Sequence, residues 1–205
     1  MKTTFYSSIA LVMMAFSFFN LHSQGTPVGS PATTFSLKDT RSDKMVSLAD
    51  YATGKGVIVI FTCNHCPYSV KYEKRIINLN KNYTAKGFPV VAISSNDPAI
   101  VPEDSYVAMK KHAKAKKYAF PYLFDETQEV AKTYGALKTP HVFLLSNSGG
   151  KFTVEYIGAI DDNADDEKAV TQKFVENAIG EILAGKPVTT REVKAIGCGI
   201  KWKKA

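Results

Sequence analysis

Two of the three cysteines stand two residues apart, in Cys63-Asn-His-Cys66. A CxxC pair can hold a metal, carry a haem, form an inert bridge or exchange disulfides. Zinc needs four ligands, and there is no second CxxC. The four histidines, His22, His65, His112 and His141, have no ligand spacing. A covalent haem needs a histidine directly after the second cysteine, and position 67 is proline. A structural disulfide and a redox-active dithiol remain. The flanking sequence favours the second. Val57-Ile-Val-Ile-Phe-Thr62 is an apolar, β-branched run, and Tyr72, Ile76, Leu79 and Tyr83 recur with helical spacing. The pair therefore sits where a buried strand ends and a helix begins. A helix N-terminus carries unpaired N–H groups and partial positive charge, and both stabilise the thiolate, the reactive form of cysteine.

Other residues bear on that chemistry. His65, if partly cationic, would favour thiolate and tune the couple; otherwise it is an exposed spacer. Thr139-Pro140 opens an apolar strand with a residue that cannot donate to a ladder. It reads either as the start of an edge strand or as a cis peptide bond against the cysteines. In the second case the Thr139 backbone is free to pair with an incoming chain. Cys198, in Gly197-Cys-Gly199, makes the cysteine count odd. It is either a small buried apolar residue or a third redox thiol that folds back near the pair.

The elements that position these residues follow from pattern. Phe35 to Asp39 and Met45 to Leu48 form a hairpin around Thr40-Arg-Ser-Asp-Lys44. The strand at 57–62, the helix ending at Gly87 and the strand at 88–94 make a right-handed βαβ unit. A helix starts at Glu103, a short extended piece covers 120–125, and a short helix at 126–134 ends at Gly135. Strands at 139–145 and 152–157 flank a Gly-Gly turn. The last helix presents Val170, Phe174, Ala178 and Ile182 on one face, and a tail occupies 186–205.

Length and composition fit one globular domain: 205 residues, 45% hydrophobic and 22% charged. The formal charge of +7 includes a lysine-rich run at 110–117. No aromatic residues interleave with those lysines, so the run reads as a solvated helical face rather than a nucleic-acid site. Lys2 is the only charge before Lys38, and Ile9 to Phe19 is apolar and too short to span a membrane comfortably. Residues 1–24 read as a secretory signal peptide cut near Ser23 or Gln24, with the domain at 25–205. Export places the protein in the periplasm or outside the cell, where disulfides persist, with no membrane span after cleavage.

Phe61-Thr-Cys-Asn-His-Cys-Pro-Tyr68, Pro102-Glu-Asp-Ser105, Phe120 to Gln128, Thr139-Pro140, Gly158 to Asn163 and Gly197 to Trp202 resemble one family. It is the thioredoxin-fold redoxin superfamily (alkyl hydroperoxide reductase C/thiol-specific antioxidant), in its peroxiredoxin-like branch with a CxxC. The resemblance spans about residues 28–203. It implies an α/β thioredoxin-like fold: a mixed central sheet flanked by helices, with an N-terminal hairpin and a C-terminal tail. It implies that Cys63 is the exposed attacking thiol, that Cys66 resolves, and that Pro140 is cis, with Thr139 and Pro140 contacting substrate. Many members carry a further cysteine before the Thr-Pro; here that residue is Lys138. The implied activity is thiol–disulfide exchange, without a cofactor, on protein or small-molecule thiols and disulfides, coupled to a redox partner. The alternative is a thiol peroxidase. Its PxxxTxxC pattern fails in both frames, since Gly56 and Ile60 precede Cys63, and Val59 and Cys63 precede Cys66, at the Pro and Thr positions. Copper binding by soft thiolates and an imidazole is the least favoured reading; copper proteins of this fold use a wider cysteine spacing.

Overall fold

The computed structural model describes residues 25–204, so the signal segment expected at 1–24 lies outside the described residues. Strands β1 (Ser36–Asp39) and β2 (Met45–Ser47) pair antiparallel. The Asp39 carboxylate pins their turn, accepting from Arg41 N–H and Ser42 Oγ. It also accepts from Tyr122 N–H, tying the hairpin to the main sheet.

Strand β3 (Gly56–Phe61) is buried along its whole length. Successive side chains of a strand point to opposite faces, and here the two faces feed two cores. Ile58 and Ile60 pack in one core with Tyr72, Ile76, Leu79 and Tyr83 of helix α1 (Pro67–Tyr83). Val57, Val59 and Phe61 pack in the other with Phe35, Leu48, Tyr134 and, from the tail, Ile200. Gly56 is required by close approach: a Cβ there would lie 2.1 Å from the Leu145 carbonyl oxygen.

Strand β4 (Val90–Ser94) runs parallel to β3, completing the expected βαβ unit. Helix α2 (Tyr106–Ala115) starts later than its acidic residues suggest. Residues 102–104 form a separate 3-10 turn, and Ser105 caps α2 by accepting from Ala108 N–H. Strand β5 (Tyr122–Phe124) lies parallel to β4 and antiparallel to β1. Helix α3 (Glu129–Tyr134) stops at Gly135. A two-residue strand β6 (Lys138–Thr139) precedes the hairpin of β7 (His141–Ser148) and β8 (Lys151–Gly158). The seven strands of the main sheet run β2-β1-β5-β4-β3-β7-β8, with parallel and antiparallel neighbours.

Helix α4 (Phe174–Leu183) buries Val175, Ala178 and Ile179 in the first core. Val170, expected on its face, is outside it. Thr171 N–H bonds the Asp162 side chain and Gln172 C=O accepts from Asp162 N–H, which holds that stretch out of the helix. The tail ends in strand β9 (Cys198–Gly199), which pairs antiparallel with β6. No helix among the described residues is long and apolar enough to cross a membrane.

Candidate redox site

Strand β3 and helix α1 deliver Cys63 and Cys66 to one end of the sheet. Cys66 is the N-cap residue of α1, and Pro67, whose missing N–H is no loss in a first turn, follows it. The Thr139–Pro140 peptide is cis, and Thr139 meets both cysteines. The Cys63 thiol donates to Thr139 Oγ1 at 3.4 Å, and Cys66 Sγ lies 3.2 Å from the Thr139 carbonyl oxygen.

Three features differ from the sequence expectations. The bridge joins Cys66 to Cys198, with Cα atoms 6.1 Å apart, and Cys63 is the free cysteine. Cys198 is therefore not the isolated apolar residue that was one of its two readings, because the tail folds back over the site. Cys63, expected to be exposed, is only 6% accessible. The Ser69 hydroxyl, 3.8 Å from its sulfur, and Thr139 close around it. The Thr139 backbone is likewise not free, since Cys198 stands opposite it in the β6–β9 ladder.

The CxxC interior is tied to residues 102–105. Asp104, fully buried, accepts from Asn64 N–H at 2.7 Å and from Asn96 Nδ2 at 2.7 Å, and pairs with His65 Nδ1 at 2.6 Å. Asn64 donates to the Glu103 carbonyl and accepts from Tyr122 Oη. In the sequence Asp104 stands only at the start of the helix expected from Glu103. Its place in Pro102-Glu-Asp-Ser105, a segment that carried part of the family resemblance, was the available signal. His65 is thus held in place by the Asp104 carboxylate.

This carboxylate changes the electrostatics of Cys63. Burial raises the Cys63 pKa above the ordinary thiol value, and the nearby Asp104 charge raises it further. Hydrogen bonds with Thr139, the Cys66 backbone and Ser69 act in the opposite direction and are outweighed. The resting form at neutral pH is the thiol, contrary to the thiolate expected from the helix terminus. Among the described residues, Cys63, His65 and Asp104 offer three donor atoms within 4.8 Å of one another. A metal there has to displace the His65–Asp104 hydrogen bond. His141 does not join this group. It is buried behind Pro140, its pKa is pushed down to about 4 by burial, and its Nδ1 accepts from Leu137 N–H.

These features predict a specific pH response. Alkylation of Cys63 in the native protein rises about tenfold per pH unit from neutrality, with no plateau below the usual thiol pKa of about 8.5. Asp104→Asn removes the charge that penalises the thiolate, so the profile moves to lower pH. A purely structural effect of the substitution would raise the rate at every pH without moving the midpoint.

Comparison with known proteins places the chain in a family. The AhpC/TSA family profile matches residues 28–173. The thiol-disulfide oxidoreductase ResA of Bacillus thuringiensis subsp. konkukian is 28% identical over 122 residues, 60% of this chain and 65% of ResA. The match thus spans slightly less than two thirds of that relative's length. The crystal structure of an uncharacterized conserved protein from Geobacillus kaustophilus is 36% identical, covers 91% of this chain and 95% of its own, and superposes with a TM-score of 0.81. The thioredoxin domain of a thiol-disulfide oxidoreductase from Bacteroides vulgatus, 22% identical over 63% of this chain and 88% of its own, shares the fold with a TM-score of 0.52. The chain has a thioredoxin-like fold and belongs to the AhpC/TSA family.

Proposed function

We propose that this protein is an exported thiol–disulfide oxidoreductase that works through Cys63 and Cys66, with Cys198 as a third exchanging thiol. The observation that carries this reading is the meeting of three cysteines at one residue. Thr139 contacts the Cys63 and Cys66 sulfurs and stands opposite Cys198. The ResA similarity supports the same chemistry.

In the fully reduced protein, Cys63 loses its proton and attacks one sulfur of a substrate disulfide. One substrate thiol leaves, and the other stays as a mixed disulfide on Cys63. Cys66 then attacks the Cys63 sulfur, releasing the second thiol and leaving Cys63–Cys66 oxidised. Cys198 attacks Cys66 in turn, regenerating the Cys63 thiol and giving the Cys66–Cys198 bridge. Every step exchanges one S–S bond for another, and the two electrons taken up by the substrate come from the dithiol. A redox partner restores them. Thr139 and Pro140 line the substrate position, and His65, fixed by Asp104, tunes the couple. The substrates are protein or small-molecule disulfides. Residues 1–24 serve as the signal, and 25–205 as the working domain in the periplasm or outside the cell.

Cys66→Ser tests this directly, because without Cys66 the mixed disulfide on Cys63 persists. Peptide mapping of the variant after exposure to glutathione disulfide is expected to find the adduct on Cys63. Finding it only on Cys198 overturns the assignment.

A further inference from the structure

The tail from Glu192 to Lys203 crosses the site, and its centre is built like a bound chain. Thr139 pairs with Cys198 and Lys138 with Gly199, antiparallel. Ile200 N–H extends the contact to the Leu137 carbonyl at 3.2 Å. At Gly197 the fit is close: a Cβ there would lie 2.3 Å from the Thr139 carbonyl oxygen. Only glycine lets the strand lie so near Pro140. With Cys198 bonded to Cys66, the arrangement has the form of a mixed disulfide between the site and an extended polypeptide. The polypeptide is the protein's own.

We propose that this tail strand is a resident occupant of the edge that receives a partner polypeptide's cysteine-bearing strand, and that internal disulfide exchange vacates it. The proposal rests on the reading of Cys63 and Cys66 as exchanging thiols. In the releasing step, the Cys63 thiolate attacks Cys66 Sγ. The Cys63–Cys66 bond forms and the Cys66–Cys198 bond breaks. Cys198 leaves as a thiolate and takes up the proton that Cys63 lost. No outside oxidant or reductant is consumed.

The rest of the tail is anchored independently of that bond. Upstream, Ile157 N–H donates to the Arg191 carbonyl and Val193 N–H to the Ile157 carbonyl. Downstream, Lys201 N–H donates to Asn96 Oδ1 and Lys203 N–H to Gln128 Oε1. The short span from 196 to 199 can lift while both anchors hold. A strand tethered in this way faces its edge at an effective concentration on the order of millimolar. An outside chain at micromolar concentration is excluded while the covalent link stands. Once the link opens, only the short ladder opposes it, and its own disulfide to Cys66 secures the place. The contact at Gly197 also sets the preferred partner: an extended segment with glycine directly before its cysteine.

The test uses the full chain with Cys198→Ser, oxidised to Cys63–Cys66, and a synthetic peptide of residues 195–202. The peptide thiol is expected to be captured at Cys66 about tenfold faster or more than the same peptide carrying Gly197→Val. Capture by the wild-type protein, whose own strand fills the edge, should be slower by a similar factor. Equal rates for the two peptides, or equal capture by wild type, overturn the proposal. Glutathione separates the tail proposal from the exchange reading. If it opens the Cys63–Cys66 bond while the peptides show no preference, the tail proposal fails and the exchange reading stands. If neither glutathione nor peptide opens it, the exchange reading fails and the proposal with it. Gly197→Ala gives a second measure in the otherwise native chain. Acid-quenched mapping should show the ratio of Cys63–Cys66 to Cys66–Cys198 raised about tenfold or more; an unchanged ratio overturns the proposal.

Discussion

Cys63→Ser is expected to slow disulfide exchange on the order of a thousandfold or more, the scale of losing a catalytic nucleophile. The reason lies in the distribution of the three sulfurs. With Cys66 and Cys198 joined, Cys63 holds the only free thiol. Serine in its place leaves the reduced protein without the thiol that attacks substrate first, since Cys66 is wholly buried, and leaves the oxidised protein with no thiol of its own to reopen the bridge. Its hydroxyl keeps a partner for Thr139, so the fold is retained. The variant should therefore show an intact Cys66–Cys198 bond and no native alkylation. The contrast with Cys198→Ser is informative, since that variant can still form Cys63–Cys66 and complete one turnover. Measuring the rate of 5,5′-dithiobis(2-nitrobenzoate) reduction by the three single cysteine variants checks the ranking. Undiminished exchange in Cys63→Ser would remove Cys63 from the mechanism.

The second large effect is on stability. Arg75→Met is expected to destabilise the fold by about 3–5 kcal/mol, the usual cost of removing one partner from a buried ion pair. Arg75 lies on the buried side of α1, and its Nη1 is 2.7 Å from both Asp161 oxygens and 2.5 Å from the Asn163 carbonyl. Asp161 also accepts from Tyr72 Oη and Asn163 N–H. Methionine fills most of the arginine volume, so little of the loss comes from a cavity. What remains is a buried carboxylate with two neutral donors and no cation. This pair fastens α1, whose N-terminus carries Cys66, to the segment after β8. Urea unfolding at neutral pH, with Asp161→Asn and the double variant completing a cycle, separates the pair from its neighbours. A double variant nearer to wild type than Arg75→Met alone is the expected sign of an uncompensated charge.

The sequence carried the parts of this molecule that repeat a local pattern. The alternation of β3 between two cores, the apolar stripe of α1, and the hairpins around Thr40–Lys44 and Gly149-Gly150 are all short-range signals. They suffice to bring Cys63 and Cys66 to a strand-to-helix junction. What was not legible depends on residues far apart in the chain. Asp104 reaches His65 across 39 positions, and Cys198 reaches Cys66 across 132. No periodicity marks either contact. The thiolate expected at Cys63 failed for the same reason: the helix terminus is local and visible, whereas the burying residues and the Asp104 charge are not. Val170 misled through its spacing alone, because the pull of Asp162 on Thr171 and Gln172 is a tertiary contact. The glycines on either side of Cys198 are visible in the sequence. The surface they approach, the Thr139 carbonyl, emerged only with the fold.

On the proposed function, the family's redox chemistry takes the form of thiol–disulfide exchange in this chain. Stopped-flow measurement on the protein with Cys63 reduced, comparing glutathione disulfide with hydrogen peroxide, tests it most directly. A buried thiol with a raised pKa and no PxxxTxxC cradle predicts that hydrogen peroxide oxidises Cys63 no faster than a free thiol, while disulfide exchange proceeds and the mixed disulfide appears on Cys63. Oxidation by hydrogen peroxide orders of magnitude faster than that of a free thiol, with slow disulfide exchange, would contradict the account and make the protein a peroxidase.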